Sequence, residues 1–159
     1  MGQRQDMQRL IRHYKDVTGE QEVDMHKVAM FARDKGWPMP NPPSALDLLA
    51  KKLTDAARDE IGYDEKTGKP YRRYHAIPAN SSQPNLFVWV DIQDATRNQM
   101  LKSCVNRREQ MVSDGLQLSF DMDRWNSINP AEEPIALPMD LELDIEIRRA
   151  ADEDDTEAA

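Results

Sequence analysis

Cysteine is almost missing from this chain, and that gap narrows its chemistry at once. Cys104 stands alone among 159 residues, which excludes an internal disulfide and a cysteine-built zinc site. The lack of disulfides fits a reducing compartment. Long apolar runs are missing too: none approaches the roughly 20 residues that a membrane helix needs. The opening residues, MGQRQDMQRLIRHY, hold no secretory h-region, and Asp6 stands where a myristoylation signal wants Ser or Thr. These gaps predict a soluble cytoplasmic protein with no membrane association. Catalytic signatures are equally thin. No GxSxG, Walker loop, HExxH or CxxC is present. His13, His26 and His75 are scattered, and Cys104 falls on an apolar stripe that suits a core thiol better than a nucleophile. Asp121 and Asp123, with Asp91 or Asp94, have the residue types of a Mg²⁺ site, but short acidic pairs are common on solvated surfaces. The expectation is a non-enzymatic protein with no catalytic residue, metal or cofactor.

What is present begins with an uneven charge. The net charge is −8, which at first argues against nucleic acid. Yet residues 1–80 carry 14 Lys+Arg against 12 Asp+Glu, residues 81–120 carry four against four, and residues 121–159 carry three against 13. The acidity belongs to the tail, and the front half is mildly basic. Such asymmetry points to partners and tails. With 39% hydrophobic and 31% charged residues, a modest core under a well-solvated surface is expected, as one domain with an appendage or a domain and a half.

The hydrophobic spacing predicts a first helix over 6–17, with Met7, Leu10, Ile11, Tyr14 and Val17 on one side, stopped by Thr18-Gly19. Asp24 is an N-cap for a second helix over 25–35 that packs Val28, Phe31 and Ala32. Four prolines within 38–43 make a stiff extended connector. It is read as a rigid corner with Trp37 in the core, ahead of a polyproline ligand. A third amphipathic helix runs over 44–61, with Leu46, Leu49, Leu53, Ala57 and Ile61 on one face. It leads into a basic hairpin, with strands at 63–64 and 71–75 and Gly68 in the turn. Residues 78–85 read as a polar linker, and 86–92 as a strand covered on both faces. Residues 94–126 read as one long helix, bent at Gly115. The competing reading puts a strand after that glycine, because Leu116, Leu118, Phe120 and Met122 alternate. From Pro130 the chain is an acidic extended arm. Leu141, Leu143, Ile145 and Ile147 alternate with charged residues, as in an edge strand or a docking arm, and 152–159 is expected to be disordered.

Three helices followed by a hairpin resemble a winged-helix domain over about 5–78. The chain also looks like uncharacterised bacterial and phage proteins. The resemblance implies that 44–61 is the recognition helix and 63–75 the wing, which meets the DNA backbone or minor groove. The long connector and the carboxylates Asp55 and Asp59 depart from that pattern. The fold expected is mainly α with a small β-ribbon: a winged-helix-like domain (1–78), a strand plus long helix for oligomer or partner contacts (86–129), and an acidic extended arm (130–159).

Lys66, Lys69, Arg72 and Arg73, with Tyr71 and Tyr74 among them, combine phosphate-binding charge with flat side chains. Lys51, Lys52 and Arg58 extend this set along the third helix. Arg107-Arg108 is a weaker sign, because Glu109 and Asp114 lie close by. The expectation is a DNA-binding regulator or accessory protein that favours duplex DNA, with Leu101, Val105 and Met111 as a homodimer or partner interface. The alternative is an adaptor or structural subunit of a larger bacterial or phage assembly. The acidic tail has two readings: it competes with phosphate for the ribbon, or residues 135–148 dock on this protein or a partner.

Overall fold

A computed structural model describes residues 2–80 and 83–157. The chain forms two compact units, Met1–Lys52 and Leu53–Ala159, and is mainly helical with two small antiparallel sheets.

The first unit holds α1 (Gln3–Thr18), α2 (Met25–Asp34) and the start of α3 (Ala45–Asp59). Tyr14, Val28 and Ala32 are buried, as the spacing of apolar residues requires. Tyr14 meets Phe31 edge-on at 5.5 Å between ring centroids, and its hydroxyl donates to Glu20 at 2.9 Å. Gly19, at φ +71°, ends α1 in the left-handed region. The Asp24 carboxylate caps α2 by accepting the His26 amide at 2.8 Å. Trp37 is half-buried and lines an apolar cavity of about 230 Å³ with Met7, Leu10, Val28 and Met39. Ser44 caps α3 through the Asp47 amide at 3.1 Å. The apolar face of α3 stays open: Leu46, Leu49 and Leu53 are exposed and Ala57 and Thr54 half-covered, while Ile61, expected to close this helix, is exposed and lies beyond its end in a strand.

The second unit continues with β1 (Ile61–Tyr63), β2 (Pro70–Arg72), β3 (Tyr74–Asn80), β4 (Gln83–Asp91), α4 (Arg97–Ile128) and α5 (Leu141–Glu157). β1 and β2 form the expected hairpin, with Gly62 opposite Tyr71. A Cβ on Gly62 would lie 2.6 Å from the Tyr71 ring, so the glycine makes room for that ring. Tyr74 and His75 do not extend this ribbon. They start β3, which pairs with β4 in a second sheet from Tyr74↔Asp91 to Asn80↔Gln83. The expected linker over 78–85 is thus largely strand, and Ser81 and Ser82 lie outside the described residues. Nor does β4 join the first hairpin or lie covered on both faces, since Leu86, Phe87 and Val88 are exposed. Ile77 is buried in this sheet.

The long helix forms as one piece. Thr96 and Gln99 make a reciprocal capping box, with Thr96 amide to Gln99 side chain at 2.9 Å and Gln99 amide to Thr96 hydroxyl at 3.3 Å. Its assignment continues unbroken through Gly115, where the Met139 methyl lies 3.0 Å from the position a Cβ would take. The Asn126 amide group pins the returning chain, donating to the Ile135 carbonyl at 2.9 Å and accepting its amide at 2.8 Å. Residues 141–157 are helical and not an extended arm. No described strand pairs with them, so a helix satisfies their backbone internally. Leu, Glu, Arg and Ala favour it, and Glu142 and Asp144 suit its first turn. The expected disordered end is helical to Glu157, and 158–159 lie outside the described residues.

Candidate nucleic-acid interface

One carboxylate organises the β1–β2 turn. Asp64 accepts from the Thr67 amide at 2.8 Å, the Lys66 amide at 2.9 Å and the Thr67 hydroxyl at 3.1 Å. Gly68, at φ +67°, sends its amide back to the Asp64 carbonyl at 2.7 Å. The donors favour the ionised form, the Thr67 amide most, then the Lys66 amide and the Thr67 hydroxyl. They hold the Asp64 carboxyl below its ordinary 3.8. Lys66 and Lys69 therefore sit in a braced turn, and Arg72 lies exposed at the end of β2.

Arg73 is ion-paired within the fold. Its guanidinium lies 2.8 Å from Asp91 and 3.9 Å from Glu60. Its backbone amide donates to the Glu60 carbonyl at 3.0 Å, and its carbonyl accepts the Ile92 amide at 2.9 Å. The Asp91 hydrogen bond and charge raise its already high pKa. In turn, the Gln93 amide and then Arg73 lower that of Asp91. Arg73 is a clamp where the two hairpins meet.

The strand after it is fixed to α4 by a buried polar pair. His75 Nε2 lies 2.9 Å from the Arg72 carbonyl, and Nδ1 lies 3.3 Å from the Ser103 hydroxyl. A carbonyl only accepts, so His75 Nε2 carries a proton and donates it to the Arg72 carbonyl. Ser103 is the most buried side chain described, at 1% exposure. Cys104, expected in the core, is exposed instead: the helix turns the hydroxyl next to it towards His75.

This junction brings together residues far apart in sequence. A cleft of about 80 Å³ is lined by Arg58, Arg72 and Arg107 with Trp89, His75 and Ser103. The arginines are exposed and the His75–Ser103 pair is buried, so the pair closes the inner end. Arg58 lies 5.9 Å from the Trp89 ring centroid, within cation–π range, and 3.8 Å from Asp55. The Arg107-Arg108 pair divides. Arg108 faces Glu109 at 3.4 Å, whereas Arg107 reaches the cleft. Lys51 and Lys52 are exposed on the part of α3 that belongs to the first unit.

Arg58 and Arg72 were legible as cations in a basic stretch. Arg107 looked neutralised by its neighbours, and nothing local marked Trp89, His75 or Ser103. Their link is the β3–α4 contact, which no spacing rule reveals. Leu101, Val105 and Met111 are about half exposed on α4. Among the described residues no three His, Cys, Asp or Glu side chains gather as metal ligands, and Asp121 accepts a hydrogen bond from Gln117 at 3.2 Å. No helix among them is long and apolar enough to cross a membrane. Comparison with protein-family models, with curated proteins and with solved structures finds no match for this chain.

Proposed function

We propose that the chain is a non-enzymatic DNA-binding regulator or accessory protein that meets the phosphate backbone of a duplex with its basic hairpin. The observation that carries this is the setting of Arg72. It ends a hairpin whose turn presents Lys66, it has no carboxylate partner among the described residues, and it shares a cleft with Arg58 and Arg107. A cation such as Arg72, left without a carboxylate partner on a braced scaffold, favours an anionic partner. In this reading α3 is the recognition helix and the β1–β2 hairpin a short wing. Arg72→Ala is expected to weaken duplex binding roughly tenfold at low salt, by a similar factor on unrelated sequences, with helicity unchanged. Loss on one sequence alone would contradict backbone contact.

A second reading, an adaptor or structural subunit of a bacterial or phage assembly, draws on the apolar surface of α4. Leu101, Val105, Met111, Val112 and Leu118 are all at least 40% exposed. The two readings are compatible if that stripe joins two copies of the chain.

A further inference from the structure

We propose that the cleft lined by Arg58, Arg72 and Arg107 seats one phosphoryl group, supplied by the backbone of the bound nucleic acid. The identity of that source rests on the function proposed above, whereas the chemistry of the seat rests on the cleft itself. Its three guanidiniums come from α3, β2 and α4, and no carboxylate lines the cavity among the described residues. Asp55, 3.8 Å from Arg58, is the counter-charge at its edge. Guanidiniums carry planar forks of donors that match phosphate oxygens. Three like charges lining one small cleft repel one another, and an anion seated between them relieves that repulsion.

The size of the cleft narrows the ligand. With a volume of about 80 Å³, the cleft has the scale of a small ion such as a single tetrahedral oxyanion and not of a whole nucleotide. The seat is held in place before any ligand arrives. The carbonyl of Arg72 is tied to His75 at 2.9 Å, and His75 is tied to Ser103 at 3.3 Å, which fixes the end of β2 against α4. Trp89 supports Arg58 from the next strand. Little ordering cost is left for the anion to meet.

The test uses the full chain as wild type, Arg107→Gln and Arg108→Gln. Each variant loses one positive charge from the same turn of α4, but only Arg107 lines the cleft. Circular dichroism checks that both keep their helicity. In one arm, melting temperature is compared in phosphate and in chloride at equal ionic strength. Comparison between variants cancels the general effect of phosphate on stability. In the other arm, a random duplex is titrated over a range of salt. Phosphate is expected to raise the melting temperature of wild type and Arg108→Gln more than that of Arg107→Gln. Arg107→Gln should bind duplex roughly tenfold more weakly and lose about 1 from the salt slope, while Arg108→Gln stays within about twofold. A variant difference in the phosphate arm, with no duplex binding by wild type, keeps the seat and assigns it to free phosphate or a phosphomonoester, so that the DNA function falls alone. A difference in the duplex arm alone also supports the seat. Equal behaviour of the two variants in both arms overturns it, whether or not DNA binds.

Discussion

Asp64 shows how a single side chain decides what the hairpin can present. Its ionised carboxylate gathers three donors from Lys66 and Thr67, and its carboxyl titrates below the ordinary 3.8. A carboxyl whose pKa falls on folding stabilises the folded state fully above its unfolded value. That contribution is lost as the pH drops through the lower folded value. The turn is therefore expected to loosen in acid below 3.8, and Asp64→Ala should loosen it at neutral pH as well. Faster amide exchange at Lys66 and Thr67, with α1 unchanged, is the outcome to look for; unchanged exchange would show that the turn does not need the carboxylate. The Asp64-to-Gly68 turn was legible because Asp and Gly have strong local preferences. Arg73 was not, since its partner Asp91 lies 18 residues away and becomes a neighbour only once β3 and β4 pair. A run of basic residues says how much charge there is, but not which cations will be neutralised by the fold.

Elements were legible where local signals agreed. α1 and α2 have caps, stops and apolar spacing that all point to helix, and both appear within a few residues of expectation. The segment over 141–147 carried conflicting signals: alternation favoured a strand, composition favoured a helix, and composition prevailed without a partner strand. α4 was recognised by its apolar stripe, although that stripe does not pack inward. Cys104, Met111, Leu118 and Trp125 recur every seven residues, the period of helices that wind around one another. At about 1.5 Å per residue, its 32 residues give a rod about 48 Å long. The helix is expected to associate with a second copy. Val105→Lys should raise the dimer dissociation constant on the order of a hundredfold, because an unpaired charge is costly in a dry interface. Sedimentation of wild type and variant measures this. A wild-type monomer at high concentration would leave the stripe to a different protein.

At the scale of the whole chain, the distribution of charge matters more than its sum. A protein with net charge −8 gains nothing from its overall field when it approaches a polyanion. Under the proposed function, binding comes from local cations and not from the net field, to which the acidic helix over 141–157 adds negative charge. On the function proposed above, Lys66 would meet one phosphate and the cleft of Arg58, Arg72 and Arg107 another, each neutralised phosphate releasing condensed counterions. The most direct measurement is the affinity of the full chain for random duplex DNA as a function of salt. Two phosphates, one in the arginine cleft and one at Lys66, predict that log K falls against log salt with a slope of roughly −2, with similar values for unrelated sequences. No binding at low salt, or an affinity indifferent to salt, would contradict the account.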